Sequence, residues 1–175
     1  MVGQAIPGVL IALVPHMDAA NREAWDRPQD ERPLSDLGRK QAAALADEMS
    51  RWSGITALFA SPVARARETL EPLSKLLGLE IQTMASLSER RPDEGDSAMA
   101  QRGERAVDEL RRGSPNGVII VASHGDIVPA TVERIARRRQ LRTPRLERRG
   151  QWFAVSIRAD LSVDIELCEI PGFPQ

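Results

Sequence analysis

Three short, almost wholly apolar runs limit what this chain can fold into: residues 8–14, 55–60 and 118–122. Each is strand-sized, and a strand apolar along its length has no face left for water, as in a parallel sheet covered on both sides. The stretches between them repeat with helical period. Behind Ser35, an N-cap residue, come Leu37, Gln41, Leu45, Met49 and Trp52. A second helix is predicted to open at Ser61-Pro62, to turn Val63, Ala66, Leu70, Leu73 and Leu77 inward, to kink at Pro72 and to end at Gly78. A short strand over 79–84, a helix over 98–110 and another beginning near Val128, with Pro129 in its first turn, follow. Residues 152–157 and 163–167 alternate in polarity around Ala159-Asp160 and predict a terminal hairpin. The expected fold is α/β: one domain over residues 1–175, a three-layer α/β/α sandwich around a mostly parallel central sheet.

Several classes of protein are disfavoured by composition. No apolar run approaches the roughly 20 residues of a membrane helix. The opening Met-Val-Gly-Gln-Ala-Ile-Pro lacks the basic and apolar regions of a secretory signal, so a cytoplasmic protein with no membrane partner is expected. Cys168 is the single cysteine, which rules out an intramolecular disulfide and a multi-cysteine metal site. A buried, inert thiol is expected there. Net charge is −1, yet residues 134–149 hold eight arginines and one acid, Glu147. That segment has no interleaved aromatics. It reads as a solvated helix end and linker, with nucleic-acid binding as the remote alternative.

The chain has two histidines, and each follows a buried run at the same interval. His16 lies two residues past Val14, and His124 two residues past Ala122. Ligands of open α/β sheets bind beyond the carboxyl ends of the strands, so both imidazoles are expected at one site. Imidazole titrates near neutrality and can serve as nucleophile, base or cationic partner. Arg65 and Arg67 stand in the first turns of the helix that follows the second run. A helix N-terminus attracts anions, and an arginine there can grip a phosphate through two donors.

Four stretches, in order, carry a resemblance: Val14-Pro15-His16-Met17, the run from Pro33-Leu34-Ser35 through Gly38 to Gln41-Ala42, Ser61-Pro62-Val63-Ala64-Arg65-Ala66-Arg67-Glu68-Thr69, and Ser123-His124-Gly125. Over roughly residues 8–135 the chain resembles the histidine phosphatase superfamily, the phosphoglycerate mutase-like group. It looks most like the small phosphohistidine-phosphatase branch, and is also similar to the histidine-phosphatase domain that follows a Nudix domain in some bacterial proteins. The resemblance implies that His16 attacks a phosphoryl group and becomes phosphohistidine. It further implies that Arg65 holds the non-bridging oxygens and that His124, helped by backbone near Gly125, stabilises the transition state. Glu89 is the candidate proton donor to the leaving oxygen. No metal or cofactor is expected, since arginines and histidines carry the charge. The expected partner is a phosphorylated small molecule or a phosphoprotein.

One departure matters. The family's first motif reads Arg-His-Gly or Arg-His-Ala, and this chain has Pro15-His16-Met17. Proline brings no charge and no N–H, and losing one preorganised donor from such a site costs on the order of 10²–10³ in rate. Three readings are open at this point. A substitute arginine enters the site, with Arg22 and Arg32 on the loop 18–34 as candidates; or the protein is a weak phosphatase; or it binds a phospho-ligand or partner protein without turnover. Met17, in place of glycine or alanine, is expected to add bulk beside the nucleophile.

Overall fold

The computed structural model describes residues 8–170 and 172–173; the opening segment read above for a signal lies outside them. The apolar runs become strands β1 (Gly8–Pro15), β2 (Ile55–Ala60) and β4 (Gly117–Ser123), with β3 (Ile81–Thr83) on one edge and β5 (Gln151–Arg158) and β6 (Val163–Glu169) on the other. Together they form a six-stranded sheet in the order β3-β2-β4-β1-β5-β6. The first four of these neighbours run parallel, while β5 and β6 are antiparallel to their partners. Helices α1 (Asp36–Met49) and α2 (Ala64–Leu77) cover one face, and α3 (Asp96–Gly113) and α4 (Ile127–Arg138) the other. The predicted three-layer α/β/α sandwich is what forms.

Alternation divides the strand residues between two cores. Ala12, Val14, Leu58, Ala60, Ile120 and Ala122 meet Ala42, Leu45, Ala66 and Leu70 of the first helix pair. Ile11, Leu13, Ile119 and Val121 meet Val107, Leu110, Val128 and Val132 of the second. Strand β5 is buried along most of its length rather than alternating, because it too lies between the layers. Only β6, at the edge, alternates as the sequence predicts.

Local differences from expectation have local causes. β1 runs one residue further than Val14: Pro15 pairs with Ser123, and the N–H of His16 donates to the Ser123 carbonyl at 2.8 Å. Since successive N–H groups point to opposite sides of a strand, the missing N–H of Pro15 falls on the β5 side, past the last paired residue, Leu13. Helix α2 starts at Ala64 rather than at Ser61-Pro62. Ser61 keeps strand-like bonding, its N–H donating to the Ala122 carbonyl at 3.0 Å. Pro72 lies inside α2, which continues through it. Cys168 is half-buried rather than buried, and burial still pushes its thiol pKa up, which disfavours the reactive thiolate.

The stretch Leu34-Ser35 through Gln41 does more than start a helix. Ser35 caps α1, its Oγ accepting from the Gly38 N–H at 3.0 Å. The same residue binds Asp18, N–H to carbonyl at 3.0 Å and Oγ to carboxylate at 2.6 Å. Gln41, fully buried, accepts from the Asp18 N–H at 2.9 Å. Gly38 lets the helix come this close: a Cβ there would lie 1.8 Å from the Asp18 carbonyl oxygen. Gly38→Ala is expected to destabilise the protein by about 1–3 kcal/mol through overpacking against backbone. Urea denaturation measures this, and the displaced Asp18 loop should lower any activity at His16 as well.

Candidate active site

The carboxyl ends of β1, β2 and β4 are level, with Pro15 opposite Ser123 and Ala60 opposite Ala122. Both histidines, as predicted, leave the sheet at this edge. Their rings meet edge to face, centroids 5.4 Å apart and planes 78° apart. The Nδ1 of His16 lies 2.7 Å from the Met17 carbonyl oxygen. A carbonyl only accepts, so Nδ1 carries the hydrogen and Nε2 keeps its lone pair. The Nε2 of His124 lies 2.8 Å from Ser61 Oγ, whereas its Nδ1 is buried with no hydrogen-bond partner among the described residues.

Arg65 arrives from the first turn of α2 with its side chain 2% exposed. One terminal nitrogen donates to the Gln29 carbonyl at 2.8 Å, and the other pairs with Glu89 at 3.1 Å. Its Nε, like His124 Nδ1, is a buried nitrogen with no hydrogen-bond partner among the described residues. Buried polar nitrogens of this kind, close to the His16 imidazole, suit a site that takes an anion. Glu89 stands at the mouth of this site, 3.8 Å from His124 Nδ1. Its loop is tied down by Arg102, which donates to the carbonyls of Ser86, Ser88 and Glu89 at 2.7, 2.8 and 3.2 Å. Arg102 also holds Glu94, lowering that carboxyl's pKa to about 2.

The remaining predicted residues occupy different ranks. Arg32 is half-buried and donates to the Ala20 carbonyl and to Gln29 Oε1 at 2.7 and 3.0 Å. Burial, and then the charges of Arg65 and Arg22, lower its pKa, so these guanidiniums share one neighbourhood. Arg22 is exposed. Gly125 sits in the turn between β4 and the α4 cap, Asp126, and is exposed. Met17 differs from expectation. Its side chain is 2% exposed and belongs to the α1–α2 core, so it turns away from the nucleophile. The Met17 N–H donates to Thr69 Oγ1 at 3.0 Å, and that hydroxyl donates to the Arg65 carbonyl at 2.8 Å. Sequence reasoning took in Ser61 and Thr69 only as parts of a pattern. It left out Arg149, which lies near enough for its charge to act on His16.

Most of the other arginines of segment 134–149 meet acids. Arg134 and Arg138 pair with Glu104, Arg137 with Glu133, and Arg148 with Glu169. These partners leave little of the continuous basic face that nucleic acid would need. Among the described residues no three His, Cys, Asp or Glu side chains gather as a metal group, and no helix is long and apolar enough to cross a membrane.

Against this geometry, comparison with known proteins gives a consistent answer. The histidine phosphatase superfamily (branch 1) matches residues 17–96. An 8-oxo-(d)GTP phosphatase of Mycolicibacterium smegmatis is 27% identical over 150 residues, covering 84% of this chain but 44% of that protein. The chain thus spans under half the length of this relative. Among solved structures, YhfR of Bacillus stearothermophilus superposes with a TM-score of 0.77 at 14% identity, over 96% of this chain and 100% of that one. The phosphoserine phosphatase of Entamoeba histolytica, in complex with 3-phosphoglyceric acid, gives 0.74 at 12% identity, over 95% and 100%. Residues 17–96 thus match the histidine phosphatase superfamily, and the chain shares the fold of these solved structures.

Both histidines are held neutral. Burial lowers the pKa of His16 to about 4, opposed by its bond to Met17 and reinforced by the charges of Arg65, Arg149 and Arg32. Burial, His16 and Arg65 lower His124 to about 3. In the unfolded chain both return to about 6.5. The unfolded state therefore binds more protons than the native state as pH falls from about 6.5 toward 4, and stability must drop over that window. Denaturation curves at about pH 7, 6 and 5 should show a progressive loss of unfolding free energy. Asparagine at both positions should flatten that dependence.

Proposed function

We propose that the protein hydrolyses a phosphorylated small molecule or a phosphoprotein through a phosphohistidine formed on His16. The observation that carries this reading is the fixed tautomer of His16. With Nδ1–H bound to the Met17 carbonyl, Nε2 is an unprotonated nucleophile, in a site where buried nitrogens of Arg65 and His124 have no hydrogen-bond partner among the described residues. The family match over residues 17–96, and the names of similar proteins as phosphatases, support the same chemistry.

In the first half-reaction Nε2 of His16 forms a bond to phosphorus while the bond to the leaving oxygen breaks. Glu89 gives a proton to that oxygen. Arg65 takes non-bridging oxygens in place of the Gln29 carbonyl and Glu89. In this reading Ser61 Oγ, 2.8 Å from His124 Nε2, donates to it, so that Nδ1 carries the hydrogen offered to the transferred group. Backbone at Gly125 adds to that site, and Arg22 and Arg32 supply positive potential at its rim. In the second half-reaction water attacks phosphorus, Glu89 takes its proton, and neutral His16 departs. Donors fixed before the charge develops need no reorganisation at that moment, which is where such sites gain their rate.

A second reading rests on Pro15, which deprives the first motif of its cation: binding of a phospho-ligand without turnover. Hydrolysis of p-nitrophenyl phosphate decides between them. The phosphatase reading expects turnover that disappears in His16→Ala, an acid-labile phosphoryl label on His16, and a kcat/KM lowered about 10²–10³-fold in Arg65→Ala. Orthovanadate binding with no turnover above the His16→Ala background would establish the second reading instead.

A further inference from the structure

A transferred phosphoryl group spreads negative charge over its equatorial oxygens, and neutralising it calls for more than one cation. At this site both histidines are neutral, Arg65 brings one positive charge, and Pro15 supplies nothing. Arg32 is already committed to the Ala20 carbonyl and the Gln29 side chain.

A further guanidinium reaches this edge from the opposite chain direction. Strand β5 runs antiparallel to β1, from Gly8 opposite Arg158 to Leu13 opposite Phe153. The turn that precedes β5 therefore lies at the same edge of the sheet as the residues that follow β1. The turn that delivers Arg149 is built rather than slack. The N–H groups of Glu147 and Arg148 donate to Gln151 Oε1 at 2.8 and 3.3 Å, and Gln151 Nε2 donates to Glu169 at 3.0 Å. Gly150, buried with φ of +80°, turns the chain where a Cβ would lie 2.4 Å from the ring of Phe173. Arg148 pairs with Glu169 at 2.7 Å, while Arg149 reaches toward Asp18. Its Nη2 stands 3.5 Å from the carboxylate of Asp18, the residue two past the nucleophile, and its side chain is 52% exposed. That separation exceeds a good charge-assisted hydrogen bond, so the guanidinium gives up little in leaving Asp18. Its charge already disfavours protonation of His16.

We propose that Arg149 is a catalytic residue that replaces the cation missing at Pro15, swinging from Asp18 to a non-bridging oxygen when the phosphoryl group enters. The proposal rests on the phosphatase reading and names the second half of its phosphoryl clamp. It also moves the substitute arginine from the loop 18–34, where Arg22 and Arg32 lie, to the turn before β5.

Affinity for orthovanadate, measured by calorimetry on the full chain, tests it. Arg149→Ala should weaken binding about tenfold or more, the usual value of one charge-assisted donor, with an unchanged melting temperature. Arg149→Lys should keep most of the affinity, and Pro15→Arg introduced beside Arg149→Ala should restore it. If Arg149→Ala binds within about twofold of wild type while Arg65→Ala loses binding, Arg149 is not in the clamp and the phosphatase reading stands alone. Equal weakening in Arg149→Ala and Arg149→Lys also overturns the assignment, since a cation at that place would then not be what matters. If the wild-type protein binds no vanadate, both proposals fall together.

Discussion

Residues 16–18 are fastened by three elements at once, and the rest of the site is positioned from that fastening. The His16 N–H is held by β4, the Met17 N–H by Thr69 of α2, and Asp18 by Ser35 and Gln41 at the start of α1. A loop leaving a buried strand would otherwise carry unsatisfied backbone groups into the core, at a cost of about 1–3 kcal/mol each. Satisfying them fixes the direction of the His16 ring. The same bonds draw α1 and α2 to the sheet edge, which is why Arg65 emerges beside the imidazole rather than above it.

Burial then sets the chemistry. Arg65 and His124 lie almost wholly out of water, and each has a polar nitrogen without a hydrogen-bond partner among the described residues. Buried polar groups of this kind cost stability and call for a functional reason. Positive charge crowded around His16 does the same in electrostatic form: it destabilises imidazolium and favours an incoming anion. Native stability and ligand affinity are thus opposed at one place in the fold.

Much of this was legible from residue pattern. The apolar runs gave β1, β2 and β4, and the equal offset of the two histidines from their strands brought them to one edge. Ser35, Gly38, Gln41, Ser61 and Thr69 carried a family pattern before their contacts were known. The structure supplies their reason: each bonds to, or makes room for, the residues around the two histidines. Less was legible where contacts join distant segments. Met17 could not be assigned to the core, because one residue past a strand the pattern no longer says which way a side chain turns. Arg149 sat within a run of arginines, most of which meet acids away from the two histidines. Only the antiparallel register of β5 on β1 separates it from them, and a sequence does not state which strands will be neighbours.

The wedge of Phe173 against Gly150 has a mechanical consequence. Phe173 fills the space that a side chain at position 150 would need, so the turn carrying Arg149 leans on a residue that follows β6. The cleft is in this way coupled to Phe173. Anything that moved Phe173 away from Gly150 would be felt at the nucleophile as a slackening of its rim.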